Sequence, residues 1–313
     1  MPVLRLIFFI LLFCAPLAAH PGVTAGDFPG GTVWYAHADL KQMRTADSSN
    51  DLYNWVNGEV FVEIHEEIGI DIGKETDRIT AFADGENGAV VIVEGPVSQE
   101  TKDKILALAA SDMDLNLLNS GGKDYYQFGE ENENAAKSDF ESFEDGGFFS
   151  FDIKGKVIVT STEEQMKALL KSGGKVAGTG SHPNALFVLT ADKSLVQAGL
   201  KTDELADDDD DWDSNILRNT EQAAILIADL DGLISIEAQL VSREAGMAQS
   251  LGSIVNGLIA LQAFNDELDP EIINLIKATE VEVNGSTLSI KAVLDPADLM
   301  TILDDSSSSR RGH

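Results

Sequence analysis

Cysteine is almost missing from this chain. Among 313 residues there is one, Cys14, and it stands in an N-terminal stretch that reads as a removable leader. A mature chain without thiols forms no disulfide, no thiolate zinc site and no cysteine nucleophile. Basic residues are scarce as well: 22 Lys and Arg face 53 Asp and Glu, a formal net charge of −31. That charge repels phosphate backbones, so nucleic acid is not an expected partner. Anionic membrane surfaces are disfavoured for the same reason. Aromatic residues make up 7%, too few to suggest a sugar-stacking platform. No apolar run long enough to span a bilayer exists in the mature chain.

Several reaction motifs are absent too. There is no Gly-x-Gly-x-x-Gly and no Gly-Lys-Ser/Thr phosphate cradle. "GTGSHPN" is not a nucleophile elbow, because Thr179 and Pro183 stand two residues before and after Ser181 where the elbow needs glycines. His65-Glu66-Glu67 begins like a zinc-protease helix, but Gly69 stands where the second histidine belongs.

What is present begins with "MPVLRLIFFILLFCAPLAAH". One positive charge, Arg5, precedes the apolar run Leu6–Phe13 and then small residues, the layout of a secretory signal peptide. Residues 1–19 are read as the signal, with cleavage after Ala19. Phe13 is bulky where lipid attachment to Cys14 would need a small residue. The expected location is therefore exported, periplasmic or extracellular. Losing Arg5 leaves 21 bases against 53 acids, a net charge of −32. Hydrophobic residues are 43% of the chain, enough for a packed core.

A flexible lead, 20–31, precedes a long-period repeat. The strand "TVWYAHADL" (32–40) returns as "ALFVLTADK" (185–193). The hairpin "RITAFADGENGAVVIVEG" (78–95) returns as "AAILIADLDGLISIEAQL" (223–240), with Asp-Gly or Asn-Gly at the turns. A helix follows each: one capped by Ser98, the other through "AGMAQSLGSIVNGLIALQAF". Strand, turn, strand and helix over 146–174 recur over 279–303. Ser161 and Glu164 fit a capping box. Gly173-Gly174 stops a helix, and Asp295-Pro296 starts one.

The expected fold class is α+β: two related halves, 32–178 and 183–303, each an antiparallel sheet with helices on one face. The order is ferredoxin-like with additions, β-α-β-β-α-β-β-α. Leu52, Trp55, Val56, Val60, Ile64 and Ile68 form one apolar stripe on a helix over 51–68. The acidic stretch 129–147 is read as a mobile insertion in a hairpin, and 304–313 as a disordered tail.

Chemistry-bearing candidates are few. His37 and Asp39 share one face of a strand, and a third ligand would be needed for a metal. His65 is the residue that could join them, as a hydrolase site. "ELADDDDDWDS" (204–214) supplies Asp207, Asp209, Asp211 and Asp213 as candidate metal ligands, with calcium the cofactor such carboxylates take. The run lacks the internal glycine and spacing of a good calcium loop, so a solvated loop is the reading it fits best.

The strand ending in a small residue plus Asp, the helix, and the hairpin "RITAFADGENGAVVIVEG" followed by "PVSQETKDKILALA" resemble a loose group of uncharacterised bacterial secreted α+β proteins. That resemblance implies an exported α+β protein and brings no catalytic residues with it. The leading functional expectation is a non-enzymatic exported binding or scaffold protein, its partner an unidentified protein or small ligand and no cofactor required. The alternatives are a divalent-cation-responsive acidic protein and a secreted hydrolase at His37, Asp39 and His65.

Overall fold

The computed structural model describes residues 31–85, 87–112, 114–129, 143, 146–176, 184–199, 219–262 and 270–311. It is an α+β fold whose chain clusters into two compact units. One unit takes Tyr53–Pro183 and the strand-bearing stretch up to Met43; the other takes Asn184–His313 together with Arg44–Leu52.

In chain order β1 (Thr32–Asp39) of the first unit leads through α1 (Leu40–Thr45), α2 (Asn50–Val56), a π-helical turn (Asn57–Phe61), α3 (Val62–Ile68) and α4 (Ile72–Glu75), with Arg44–Leu52 clustering in the other unit. The hairpin β2 (Arg78–Asp84) and β3 (Gly88–Glu94) follows, then α5 (Gln99–Asp112). Four strands come next, β4 (Leu115–Ser120), β5 (Lys123–Gly129), β6 (Gly146–Ser150) and β7 (Lys156–Thr160), and α6 (Glu163–Ser172) closes the unit. The strands lie in the order β1-β2-β3-β7-β6-β5-β4, all neighbours antiparallel.

The second unit holds β8 (Ala185–Asp192), α7 (Lys193–Gly199), β9 (Thr220–Leu230), β10 (Leu233–Ser242), α8 (Ala245–Gln262), α9 (Pro270–Lys277), β11 (Glu280–Asn284), β12 (Thr287–Leu294) and α10 (Pro296–Arg311). The last helix reaches into residues that the sequence assigns to a tail. Its strands lie in the order β8-β9-β10-β12-β11. This matches β1-β2-β3-β7-β6 strand for strand. Among the described strands the first unit has two more, the hairpin β4–β5 appended beyond β6, which nothing in the expected order contains.

The repeated Ala-Asp junctions have one physical job. Asp39 Oδ1 accepts from the Gln42 N–H at 2.8 Å, and Asp192 Oδ1 accepts from Ser194 and Leu195 N–H at 2.8 and 3.2 Å. Each aspartate ends a strand and caps the first turn of the next helix, satisfying donors the helix cannot. Ser98 Oγ does the same for α5, accepting from Thr101 N–H. Gly173 stops α6 in the left-handed region, φ 71°, where a Cβ is disfavoured.

Two local expectations are corrected. No capping box forms at α6: Thr162 is its N-cap and makes no side-chain cap bond. Ser161 sits one residue early, still in the ladder, where its Oγ accepts from Ala89 N–H at 2.8 Å and its N–H donates to Ala89 O. The helical stripe over 51–68 is also broken. The π turn inserts an extra residue per turn, and Phe61, which lies off the expected stripe, is the residue of that turn that is buried. Trp55, Val56, Val60 and Ile64 end half-buried.

One face of the first sheet is the core. Antiparallel partners share a face, so Phe82, Val90, Thr160 and Phe148 lie in one row and Ile92, Ile158 and Ser150 in the next. All seven are buried. Helix α6 covers them with Met166, Leu169 and Leu170, and Tyr125 Oη donates to Glu163 Oε1 at 2.5 Å. Each large apolar side chain buried this way contributes roughly 1.5–3 kcal/mol.

In the second unit α8 lies on its sheet through Gly252. A Cβ there would fall 2.5 Å from Val283 Cγ2 and 3.5 Å from Leu288 Cδ1. Gly246 and Gly257 have open space around them instead, so of the three glycines in α8 only Gly252 is a packing requirement, beside the buried Ala248.

Candidate functional site

His37, Asp39 and His65 are each occupied or placed by local structure. His37 Nδ1 bonds Thr80 Oγ1 at 2.9 Å on the neighbouring strand. Asp39, besides capping α1, pairs with Arg78 at 3.4 Å, and Arg78 also reaches Glu94 at 3.2 Å. His65 is exposed on α3, where its backbone O accepts the Gly69 N–H. A general base needs a ring nitrogen or carboxylate aimed at a substrate proton; His37 and Asp39 aim at their own sheet. Among the described residues no three His, Cys, Asp or Glu gather as ligands for a metal ion. Asp207, Asp209, Asp211 and Asp213 lie outside the described residues, as do His182 and Trp212.

A different surface stands out, on the appended hairpin. Gly121 and Gly122, at φ 61° and 82°, form the two-residue turn between β4 and β5, and both angles suit glycine. Tyr126 pairs with Leu117 across the hairpin and with Phe149 on the other side. Leu115 pairs with Phe128. These side chains point away from α6, since their neighbours Tyr125 and Phe148 point toward it.

The rings form a stacked strip. Tyr126 and Phe149 are 5.1 Å apart at 17°. Phe149 meets Phe151 at 5.5 Å, edge-on, and Phe128 at 5.9 Å. Gly147 allows this packing: a Cβ there would lie 2.8 Å from Thr160 O and 3.1 Å from the Phe128 ring. Phe149 is buried beneath the cluster, whereas Tyr126, Phe128 and Phe151 are half-buried. Leu117 at the end of the row is 61% exposed. Val91 and Val159, partners of each other across β3 and β7, continue the apolar row inward half-buried. Lys102 of α5 stands 5.9 Å from the Phe151 ring centroid, within cation–π range.

The corresponding region of the second unit is polar. There Glu280, Lys291 and Glu237 face one another across β11, β12 and β10. Lys291 Nζ lies 3.5 Å from Glu237 Oε2, and Gln239 Nε2 donates to Glu237 Oε1 at 2.8 Å. Glu237 is only 4% exposed. Among the described residues the aromatic strip therefore belongs to the first unit. Its signal in the sequence is "NSGGKDYYQF", a Gly-Gly turn between apolar runs.

Burial raises the Tyr35 hydroxyl to about 12. Tyr125 is pushed up to about 12 as well, by burial and then by the neighbouring Glu163 carboxylate. Both phenols stay protonated across the physiological range, as structural groups do.

No protein-family model matches the chain, and no curated protein matches it significantly. Solved structures similar to it include three crystal forms of TP0453. Form I shares 10% identity with a TM-score of 0.43, over 91% of this chain and 98% of that one. Form III shares 10% with 0.42, over 91% and 100%; form IV shares 9% with 0.41, over 89% and 95%.

Proposed function

We propose that the protein is an exported, non-catalytic binding or scaffold protein, and that the aromatic strip of the first unit is its contact surface. One observation carries this: the β4–β5 hairpin, without a counterpart among the described strands of the second unit, sets Tyr126 and Phe128 half-buried against Phe149 of β6. Aromatic anchors set in an apolar patch are what recognition surfaces are built from. His37 and Asp39 are held by structural partners, which counts against the hydrolase reading. The leader-like N-terminus supports export.

The test uses an apolar fluorescent probe of the anilinonaphthalene type. Saturable binding to the folded protein is expected, weakened about tenfold or more in Tyr126→Ser and Phe151→Ser, a loss of about 1.4 kcal/mol. Equal binding by the variants would place the surface elsewhere. Turnover of generic ester, phosphate or glycoside substrates that disappears in His37→Gln would overturn the non-catalytic reading.

A further inference from the structure

The seven-stranded sheet of the first unit ends at β4, which has no second neighbour among the described residues. An open strand edge presents a row of unpaired N–H and C=O groups, and proteins ordinarily guard it with charge or proline. Strand β4 reads Leu-Asn-Leu-Leu-Asn-Ser, with neither. The terminal strand of the other unit, β11, reads Glu-Val-Glu-Val-Asn and is guarded. All six residues of β4 are uncharged although the chain carries a net charge of −31. Like charges directly opposed across a strand pair are destabilising, so β4 is an edge on which this acidic chain can meet its own copy.

The register decides how. Gly129 N–H donates to Asp114 O, and Leu115 is partnered with Phe128. Hydrogen-bonded pairs alternate in an antiparallel ladder, so Asp114, Asn116 and Leu118 turn their backbone groups toward β5. Leu115, Leu117 and Asn119 turn theirs outward. A twofold axis perpendicular to the sheet keeps each residue on its own face. Centred on Leu117, it opposes Leu117 to Leu117, Leu115 to Asn119 and Asn116 to Leu118, and each pair lies on one face.

We propose that two copies of this chain pair antiparallel along β4 about Leu117, forming a C2 dimer with one continuous sheet across the interface. The outward backbone groups of Leu115, Leu117 and Asn119 then find partners. The two exposed Leu117 side chains cover each other. The Tyr126–Phe149 rows of both copies join into one apolar strip. The same operation centred on Glu282 of β11 would oppose two carboxylates. The interface is isologous, the commonest arrangement for a homodimer.

The experiment is sedimentation equilibrium of the full protein in high salt, which screens the repulsion between copies, over roughly a hundredfold range of concentration. Twice the chain mass is expected at the upper end. Leu117→Lys, which replaces the apolar contact at the axis with two hydrated ammonium groups that would have to be desolvated, should return the chain mass, with its unfolding temperature unchanged at low concentration because Leu117 is exposed. Leu258→Lys, at an exposed position of α8, should remain dimeric. A monomer throughout, a dimer that survives Leu117→Lys, or a dimer lost only in Leu258→Lys would overturn the proposal. A monomer that still binds the apolar probe sinks the dimer and leaves the binding reading standing.

Discussion

The most informative single residue is Glu237. The sequence places it with Ser235 and Gln239 on the polar side of β10, a pattern that normally means water. It is instead among the most buried acids, held by Lys291 and Gln239. Alternation in sequence assigns a residue to a face; it does not say how deeply its neighbours shade that face. Taking both charges out of water costs much of what their attraction returns. Removing one partner leaves the other buried and unpaired. Lys291→Met is therefore expected to destabilise by about 3–5 kcal/mol. The double variant Glu237→Leu/Lys291→Met should recover most of that loss or exceed the parent. Urea unfolding of the three proteins measures it. Additive losses would mean that Glu237 is hydrated in solution.

Among elements, α6 shows where sequence reading succeeds and where it stops. Its end at Gly173-Gly174 is legible because few residues besides glycine tolerate that backbone. Its start is misplaced by one residue because Ser161 has two uses, a helix cap or a tie to β3, and only the ladder decides. The same competition hides the β4–β5 hairpin, whose Gly-Gly turn follows a helix without a break in composition. The π turn is illegible for another reason, since heptad-like spacing assumes a uniform helix. What the first turn of α6 does in acid is predictable. The Lys167 ammonium, and then the Tyr125 hydroxyl, hold the Glu163 carboxyl below its ordinary value of 4.5. A carboxylate that binds its proton more weakly in the fold makes acid favour unfolding. Its stabilisation is present above that ordinary value and is lost as pH falls through the lower folded one. Against the parent, Glu163→Gln should show a shallower fall of unfolding temperature below about pH 4.5 and a constant offset above it. Parallel curves throughout would mean that Glu163 titrates alike in both states.

At the scale of the whole molecule, charge is the largest influence that no single element accounts for. A net charge of −31 sets copies and segments against one another, and salt screens that repulsion within about 8 Å at physiological strength. Sodium chloride should therefore raise the unfolding temperature steadily. Calcium separates the solvated-loop and cation-site readings of Asp207–Asp213. A solvated run responds to calcium only through ionic strength, so calcium and sodium at matched strength should give the same curve, and that is the expected result. A real site adds linkage: at 100 times its dissociation constant a ligand adds about 2.7 kcal/mol. An excess calcium shift of that size, removed by replacing the aspartates with asparagine, would establish the cation-responsive reading in place of the solvated loop. Protein concentration must be held fixed throughout, because dimerisation along β4 would itself make the unfolding temperature rise with concentration. In Leu117→Lys that dependence should vanish while the sodium response remains. Screening of charge and pairing of edges can thus be told apart in one set of melts.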